Sequence, residues 1–273
     1  MPQFTPSTPK DLPLVSIITV VYNGVAHLEK TILSVLNQTY PNIEYIIIDG
    51  GSTDGTLDII RRYDDRLDYW VSEPDEGIYD AMNKGIALAT GEVIGLLNAG
   101  DWYLEDAIQA LTSQIQTEPA IYYGDALIFY PDLNEQRLAK TNLNGLRYHM
   151  SICHQATFVS REIYRQFGYY NTTYKLAADY DFLSKCYRAK NSFKYLGKTV
   201  VVFLSGGASD GRIMLSRKEC IMSAFKQHVA VIDLIKMFHT YLVEITINKG
   251  YSVLQQIVGP QHAALLRRKW QHD

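Results

Sequence analysis

Runs of β-branched residues alternate with segments of helical periodicity over the N-terminal part of this 273-residue chain. Apolar runs at 15–21, 43–48 and 67–71 predict buried strands, whereas segments 27–39 and 78–89 place their apolar residues on one helical face. Only short loops separate these segments. Strands and helices that alternate in this way form βαβ units, in which the strands are parallel. The pattern therefore predicts an α/β fold with a mostly parallel sheet flanked by helices.

The stretch 91–103 predicts a further buried strand with a carboxylate at its C-terminal end. Its first half is a run of Val, Ile and Leu, and its second half is small and polar and contains Asp101. In open α/β sheets, ligands bind outside the carboxyl ends of the strands. A carboxylate there suits a hard divalent cation, which commonly bridges a protein to substrate phosphates. Taken alone, the stretch is equally consistent with a polar loop after a core strand.

Charge and cysteine content limit the classes of function. The 26 basic and 29 acidic side chains give a formal net charge of -3, so we expect no nucleic acid partner. The three cysteines, Cys153, Cys186 and Cys220, form neither a CxxC pair nor an even disulfide set, which favours a reducing compartment. The sequence shows neither the pattern of a secretory signal nor an apolar run long enough to span a membrane. We therefore expect a cytoplasmic protein.

Five motifs follow one another in order along the chain. They are Thr19–Asn23, Leu33–Tyr40, Asp49–Thr56, Ser72–Gly85 and Leu97–Asp101. Together they resemble the N-terminal signature of family 2 glycosyltransferases, which are inverting enzymes of the GT-A (Rossmann-like) fold that use nucleotide-sugar donors. The resemblance implies transfer of a sugar, hexosyl in type, from a nucleoside diphosphate-sugar to a hydroxyl acceptor. Glycan or lipid-linked acceptors in cell-surface polysaccharide or glycolipid biosynthesis would fit this family.

The resemblance divides the chain into three parts. Residues 1–12 carry several prolines and predict a flexible leader. Residues 13–211 form the predicted GT-A domain, with a nucleotide-binding half at about 13–103 and an acceptor-binding half at about 104–211. Residues 212–273 form a predicted C-terminal helical extension.

The resemblance implies that the donor nucleotide binds at the ends of the first strands. Asp49 would accept an N–H of the base or a ribose hydroxyl, and Tyr22 would contact the base. For Asp49 the alternative is a turn- or helix-capping aspartate, and for Asp75 it is a first-turn carboxylate favoured by the helix dipole. The residues implied in donor binding are Val20, Tyr22, Asn23, Asp49, Asp75, Asn83, Lys84, Asn98, Ala99 and Gly100.

A metal site is implied at the end of the fourth strand. In this family an Asp-x-Asp element binds Mg2+ or Mn2+, which neutralises the diphosphate of the departing nucleotide. Here Asn98 and Gly100 occupy positions that hold aspartates in other members, so Asp101 is the remaining carboxylate and the implied metal ligand. A single carboxylate with phosphate oxygens and waters is adequate for Mg2+.

The catalytic base is the second implied group. An inverting transfer is a single displacement, and a carboxylate opposite the leaving diphosphate must take the proton of the acceptor hydroxyl. Related enzymes often carry Glu-Asp at the start of a helix here. In this chain Ala178 replaces the first acid, so Asp179 is the implied base, with helix capping as the alternative. The residues predicted on the acceptor side, each with a structural alternative, are Asp125, His154 and Gln155.

The C-terminal part predicts helices and a partner surface. Segment 205–211 is a glycine-rich loop, which can close over a diphosphate or serve as an acceptor lid. Glycine-rich loops also occur for geometric reasons alone. A long helical period follows from 212 to 247, and the chain ends with a basic stretch, 265–270, that contains a tryptophan. An amphipathic helix with a basic end can lie on an anionic membrane surface, here the inner face. A helical cap or a homodimer contact is the equal alternative.

Two other functions remain open from the sequence. A sugar-nucleotide nucleotidyltransferase would share the α/β layout and the metal. It should have a glycine-rich, basic phosphate loop after its first strand, whereas this chain has Tyr22–Val25 there. A non-catalytic sugar-nucleotide-binding or scaffold protein is the stronger rival. Asn98 and Gly100 favour it, whereas Asp101 and Asp179 oppose it.

Overall fold

The computed structural model describes residues 12–206 and 212–258. Within these ranges the strands are β1 (Val15–Val21), β2 (Ile43–Asp49), β3 (Tyr69–Ser72), β4 (Val93–Asn98), β5 (Trp102–Tyr103), β6 (Ala120–Tyr130), β7 (Glu135–Ala139), β8 (Thr157–Ser160) and β9 (Ser192–Leu204). The α-helices are α1 (Leu28–Leu36), α2 (Thr56–Arg62), α3 (Ile78–Leu88), α4 (Ala107–Thr112), α5 (Arg161–Phe167), α6 (Ala178–Arg188), α7 (Ile213–Lys226) and α8 (Val231–Val258).

The described strands form one sheet in the order β3-β2-β1-β4-β8-β6-β9-β5, with β7 paired to β6. Strand β1 runs parallel to β2 and β4, and β2 runs parallel to β3. These are the parallel strands that the alternating pattern predicts. Strand β8 is antiparallel to both of its neighbours and joins this parallel half to the β6–β9 pair, which is again parallel.

Helices cover both faces of the sheet, which explains why the central strands read as continuous apolar runs. Side chains alternate across a strand, so Ile17 lies in the core on one face, with α1 and α4, while Ile18 lies in the core on the other, with α3 and α6. Full burial of each such isoleucine contributes about 1.5–3 kcal/mol to folding. The parallel strands are therefore held rigidly, with their carboxyl ends at one edge.

The predicted acceptor-side residues His154 and Gln155 lie in a 3-10 turn, His154–Ala156, and β8 begins directly after it at Thr157. One predicted element differs in the structure. The predicted long helix from 212 to 247 is broken into α7 and α8, with His228 between them at a φ of 53°. Apolar periodicity cannot detect a turn this short, because the stripe resumes in phase beyond it.

Parts of three predicted segments lie outside the described residues: most of the leader, positions 207–211 of the glycine-rich loop, and the basic stretch 265–270. The segment after β6 forms a hairpin, because β7 pairs antiparallel with β6. In the described ranges, no helix combines the length and the apolar character that a membrane crossing requires.

Candidate active site

The carboxyl ends of the four parallel strands bring the predicted donor residues to one edge. Val20 of β1 is aligned with Asn98 of β4, and Asp49 of β2 is aligned with Ser72 of β3. The Ala99 N–H donates to the Val20 carbonyl oxygen, which joins the two central loops. Val20 itself is 4% exposed and its side chain packs in the core, so only its backbone lies near a ligand.

The Asp49 carboxylate lies inside the loop that follows β2. It is 0% exposed, and it accepts hydrogen bonds from the N–H groups of Gly51 and Ser52 and from the hydroxyls of Ser52 and Ser72. Both oxygens are engaged and the side chain has no exposed surface, so the turn-capping alternative describes the contacts of Asp49 in this structure. Its contact with a nucleotide stays a prediction.

Tyr22 and Asn23 form the outer part of the site. Tyr22 is 67% exposed at the end of β1. Asn23 has a φ of 49°, and its side-chain oxygen accepts a hydrogen bond from the Thr53 N–H at 2.9 Å. The backbone N–H of Asn23 also donates to the Ser52 hydroxyl at 2.7 Å, which ties the loop after β1 to the loop after β2. Asn23 therefore holds the loop in place, while Tyr22 presents its ring to solvent.

Asp75 lies directly over Gly50, a residue that the sequence analysis did not single out. A Cβ atom at Gly50 would lie 2.3 Å from Asp75 Oδ2 and 3.5 Å from the Tyr22 ring. Asp75 Oδ1 accepts the Gly77 N–H at 2.8 Å, which fixes the carboxylate at the entrance to α3. Tyr22, Gly50 and Asp75 thus form one continuous, partly exposed surface at the strand ends. The paired glycines after Asp49 are the sequence signal that could have identified it.

Asn83 and Lys84, the other predicted donor residues on α3, are engaged within the protein. Asn83 exchanges two hydrogen bonds of 2.9 Å with the backbone N–H and carbonyl of Tyr170. The Lys84 ammonium donates to the Pro74 carbonyl and pairs with Glu73 at 2.8 Å. In this structure Asn83 ties α3 to the segment after α5, whereas Lys84 braces the loop that carries Asp75.

The turn 98–101 is held by Thr31 of α1. The Thr31 hydroxyl donates to the Asp101 carbonyl oxygen at 2.8 Å and accepts the Gly100 N–H at 3.0 Å. Gly100 has a φ of 107°, a conformation that favours glycine over aspartate. The backbone conformation of the turn therefore accounts for glycine rather than aspartate at this position.

Asp101 carries a buried carboxyl group at the end of this turn. It is 4% exposed, and its Oδ1 accepts the Leu204 N–H at 2.9 Å. Burial raises the pKa of Asp101 to about 7, with the Leu204 hydrogen bond opposing the shift. Nearby, the side-chain oxygen of Asn98 is buried and has no hydrogen-bond partner among the described residues.

Asp101 and Asn98 fit a divalent cation that takes most of its ligands from groups outside the protein. The Asp101 carboxylate and the orphaned Asn98 oxygen are both oxygen donors of the kind that Mg2+ and Mn2+ prefer. The described residues contain no group of three or more His, Cys, Asp or Glu arranged to hold an ion. Substrate phosphates and waters would have to complete the coordination. Ala99 lies between the two donors, half-buried in the same turn.

Asp179 lies in the first turn of α6, half-buried at the wall of a cleft of about 480 Å³. Its Oδ1 accepts the Tyr79 hydroxyl at 3.0 Å and the Tyr180 N–H at 2.8 Å. Tyr79 is a further residue that the sequence analysis did not identify, and burial beside this carboxylate raises its pKa well above 10.0. The Tyr79 phenol therefore remains a hydrogen-bond donor to Asp179.

The same cleft brings His154 and Gln155 to Asp179. The His154 Nε2 atom is 2.8 Å from the Tyr170 hydroxyl, and burial lowers the pKa of the imidazole, with Asp179 opposing the shift. Gln155 accepts a hydrogen bond from the Cys153 thiol, whose pKa burial raises to about 12. A neutral imidazole, an amide and a carboxylate thus line one side of this cleft.

Asp125 of β6 is the predicted acceptor residue that the structure engages most fully. Its Oδ1 accepts the N–H and the hydroxyl of Thr141, and its Oδ2 accepts the Tyr195 hydroxyl at 2.7 Å. These bonds fasten the segment after β7 to the sheet. The structural alternative therefore describes Asp125 in this structure, and its carboxylate does not line the cleft.

Comparisons with known proteins were consistent with one another. Residues 16–190 match the family model for Glycosyl transferase family 2. A PGL/p-HBAD biosynthesis glycosyltransferase of Mycobacterium bovis (strain BCG / Pasteur 1173P2) is 35% identical over 181 residues, which covers 64% of this chain and 70% of the relative.

Solved structures show the same fold at low sequence identity. The structure of S. aureus TarS 1-349 in complex with UDP gives a TM-score of 0.64 at 17% identity, covering 84% of this chain and 70% of the other. Mannosyltransferase PcManGT from Pyrobaculum calidifontis, in complex with GDP-Man and Mn2+, gives 0.64 at 17% identity, covering 100% and 83%. These matches confirm the GT-A architecture that the sequence resemblance implies.

Proposed function

The chain belongs to Glycosyl transferase family 2 and is a nucleotide-sugar-dependent glycosyltransferase, and from this premise we propose an inverting mechanism with Asp179 as its base. The observation that carries the proposal is the position of the Asp179 carboxylate. It is held at the cleft wall through Oδ1, by Tyr79 and by the Tyr180 N–H. Oδ2 is then the atom that takes the proton of the acceptor hydroxyl.

The reaction is a single displacement. The acceptor oxygen forms a bond to the anomeric carbon while the bond from that carbon to the diphosphate oxygen breaks, and the acceptor proton passes to Asp179. Negative charge develops on the diphosphate at the ends of β1 and β4. Asp101 and Asn98 would hold a Mg2+ or Mn2+ ion, which when bound supplies positive charge to the leaving group.

The donor is proposed to lie across the ends of β1, β2 and β4. Tyr22 presents an exposed ring and Asp75 a half-buried carboxylate beside Gly50, which suits a base and a ribose. Solved structures of the same fold contain UDP or GDP-Man, which supports a nucleoside diphosphate-sugar as the donor class.

The acceptor is proposed to be a glycan or a lipid-linked glycan in cell-surface polysaccharide or glycolipid biosynthesis. Support comes from the relative that is named for PGL/p-HBAD biosynthesis. The C-terminal helices add a proposed partner surface, for a membrane or for a second copy of the chain. Several large apolar side chains on the outward face of α8 are exposed.

The first test is a thermal-shift panel of UDP, GDP, dTDP and CDP, each with and without Mn2+. A ligand that binds the folded state raises the unfolding midpoint. At a ligand concentration of 100 times its Kd, the free energy of unfolding increases by about 2.7 kcal/mol. We expect one nucleotide to stabilise the protein, and more strongly with Mn2+. The Asp101→Asn variant should lose the Mn2+-dependent part of the shift. An absence of any shift would contradict the proposed donor site.

A further inference from the structure

A buried carboxylate on α7 supports the helix that carries Asp179. Glu219 is 7% exposed, and it lies outside the segment 16–190 that matches the family. Its Oε1 accepts the Lys175 N–H at 2.9 Å, and its Oε2 accepts the N–H groups of Leu176 and Ala177 at 2.8 and 3.0 Å. Burial of a charge is costly without such hydrogen bonds. Both oxygens of Glu219 therefore bind the backbone N–H groups of residues 175–177.

These backbone amides lead directly into α6. Ala177 occupies the N-cap position, where a methyl side chain cannot accept a hydrogen bond. Glu219, 42 residues further along the chain, accepts the N–H of this N-cap residue. Its negative charge is also favourable at the positive end of the helix dipole. The start of α6 is therefore fixed by the C-terminal extension.

Helix α7 holds the same turn at a second point, through Asp181. The Ser223 hydroxyl donates to Asp181 Oδ1 at 2.6 Å, and the Gln227 side chain donates to the Asp181 carbonyl oxygen at 3.1 Å. Asp179 lies between the two attachments and lines the cleft. The direction of its carboxylate therefore depends on the fit of α7 against α6.

We propose that Glu219 is a positioning residue for the base Asp179, so that the C-terminal extension forms part of the catalytic scaffold. The inference rests on the proposed function of Asp179. A displacement of about 1 Å at a catalytic group can cost on the order of 100-fold in rate. The donor residues belong to the loops after β1 to β4, so a change at Glu219 acts on turnover and leaves nucleotide binding intact.

The test uses the full chain with Glu219→Gln, which replaces one acceptor oxygen by an NH2 group that opposes the backbone N–H groups. The donors are UDP-N-acetylglucosamine and GDP-mannose with water as acceptor, and the readout is release of the nucleoside diphosphate. We expect kcat to fall about 10- to 100-fold, with the shift induced by UDP or GDP unchanged. Glu162→Gln, the same change at an exposed α5 residue paired with Arg165, is the matched control.

A double-mutant cycle separates positioning from general support of the fold. In an Asp179→Asn background, Glu219→Gln should cause no further loss, because the group that it positions is gone. An equal loss in both backgrounds, or a wild-type kcat for Glu219→Gln, overturns the inference. Wild-type turnover of Asp179→Asn alone would instead overturn the proposed base, so the two failures are distinguishable.

If Glu219→Gln does not fold, Glu219→Asp decides the question. It keeps the charge and shortens the side chain by one methylene, so fewer of the three amides can be reached. We expect a kcat between those of the wild type and the base variant, with an unchanged nucleotide shift. A wild-type kcat for Glu219→Asp would overturn the inference.

Discussion

Asp179 is held on one oxygen and lines a cleft together with His154 and Gln155, the residues predicted on the acceptor side. Tyr79 reaches it from α3, a hundred residues earlier in the chain, and the Tyr180 N–H belongs to its own helix. Both bonds hold the carboxylate in one orientation at the cleft wall. This fixed orientation is what the proposed role as a base requires.

Replacement of Asp179 by asparagine should remove the base and preserve the geometry. A general base contributes about 10²- to 10⁴-fold to rate, so kcat should fall by that factor while the nucleotide-induced thermal shift persists. Asp58→Asn, the same change at an exposed residue paired with Arg61, is the control. Full turnover by Asp179→Asn would refute the assignment.

His154 should make the protein sensitive to mild acid. Burial lowers the pKa of His154 below 6.5, so as the pH falls through about 6.5 the unfolded chain binds a proton that the folded chain does not. The contribution of His154 to stability should therefore fall as the pH decreases from about 7.5 to about 5.5. Asp101, whose pKa burial raises to about 7, acts in the opposite direction, so the test compares the variant with the wild type at each pH. His154→Gln keeps a hydrogen-bonding side chain beside Tyr170 and should reduce this fall, measured by the thermal midpoint at each pH. His239→Gln, at an exposed position, should not reduce it.

The loops after β1, β2 and β4 are shaped by hydrogen bonds that run between them. Ser52 joins the Asp49 carboxylate to the Asn23 amide, and Thr31 of α1 fixes the turn that carries Asp101. Asp49 thus acts within the loop, where it orders the surface that Tyr22 and Asp75 present. The candidate donor site is therefore formed by three loops, and hydrogen bonds to one another and to α1 fix their positions.

Gly50→Ala tests this surface directly. The new Cβ would lie 2.3 Å from Asp75 Oδ2, so the carboxylate must move away. The φ of Gly50 is not in the left-handed region, so alanine adds no backbone strain and the unfolding midpoint should change little. We expect the nucleotide-induced thermal shift to decrease by half or more. An undiminished shift would show that Asp75 does not contribute to donor binding.

Helix α8 is apolar on two sides, which is unusual for a helix at the edge of a domain. Leu234, Met237 and Tyr241 pack on the core, whereas Ile235 and Leu242 point outward and are more than half exposed. A helix that is apolar all round is normally covered on all sides. Among the described side chains on or directly before α7 and α8, exposed basic residues include Arg212, Lys218, Lys226 and Lys236.

The outward face of α8 should bind either an anionic membrane or a second copy. The double variant Ile235→Asp/Leu242→Asp should abolish co-sedimentation with vesicles of phosphatidylcholine and phosphatidylglycerol if the partner is a membrane. If the partner is a second copy, the same variant should convert a dimer to a monomer in light scattering. Thr240→Asp adds a charge on another face of the helix as a control. If the wild-type protein neither binds vesicles nor dimerises, the prediction that this face binds a partner is wrong.

The sequence pattern alone determined the parallel strands, their connecting helices and the position of Asp101 after the fourth strand, because apolar periodicity and short loops are local properties of the chain. The place of Asp179 at the start of a helix was implied by the family resemblance. Only the tertiary structure decided that Asp49 is buried within its own loop, that Asn83 and Asp125 are engaged by backbone and hydroxyl groups, and that Tyr79 and Glu219 hold the proposed base. The free energy of those side chains depends on partners up to 100 residues away, and neither spacing nor periodicity encodes such pairings.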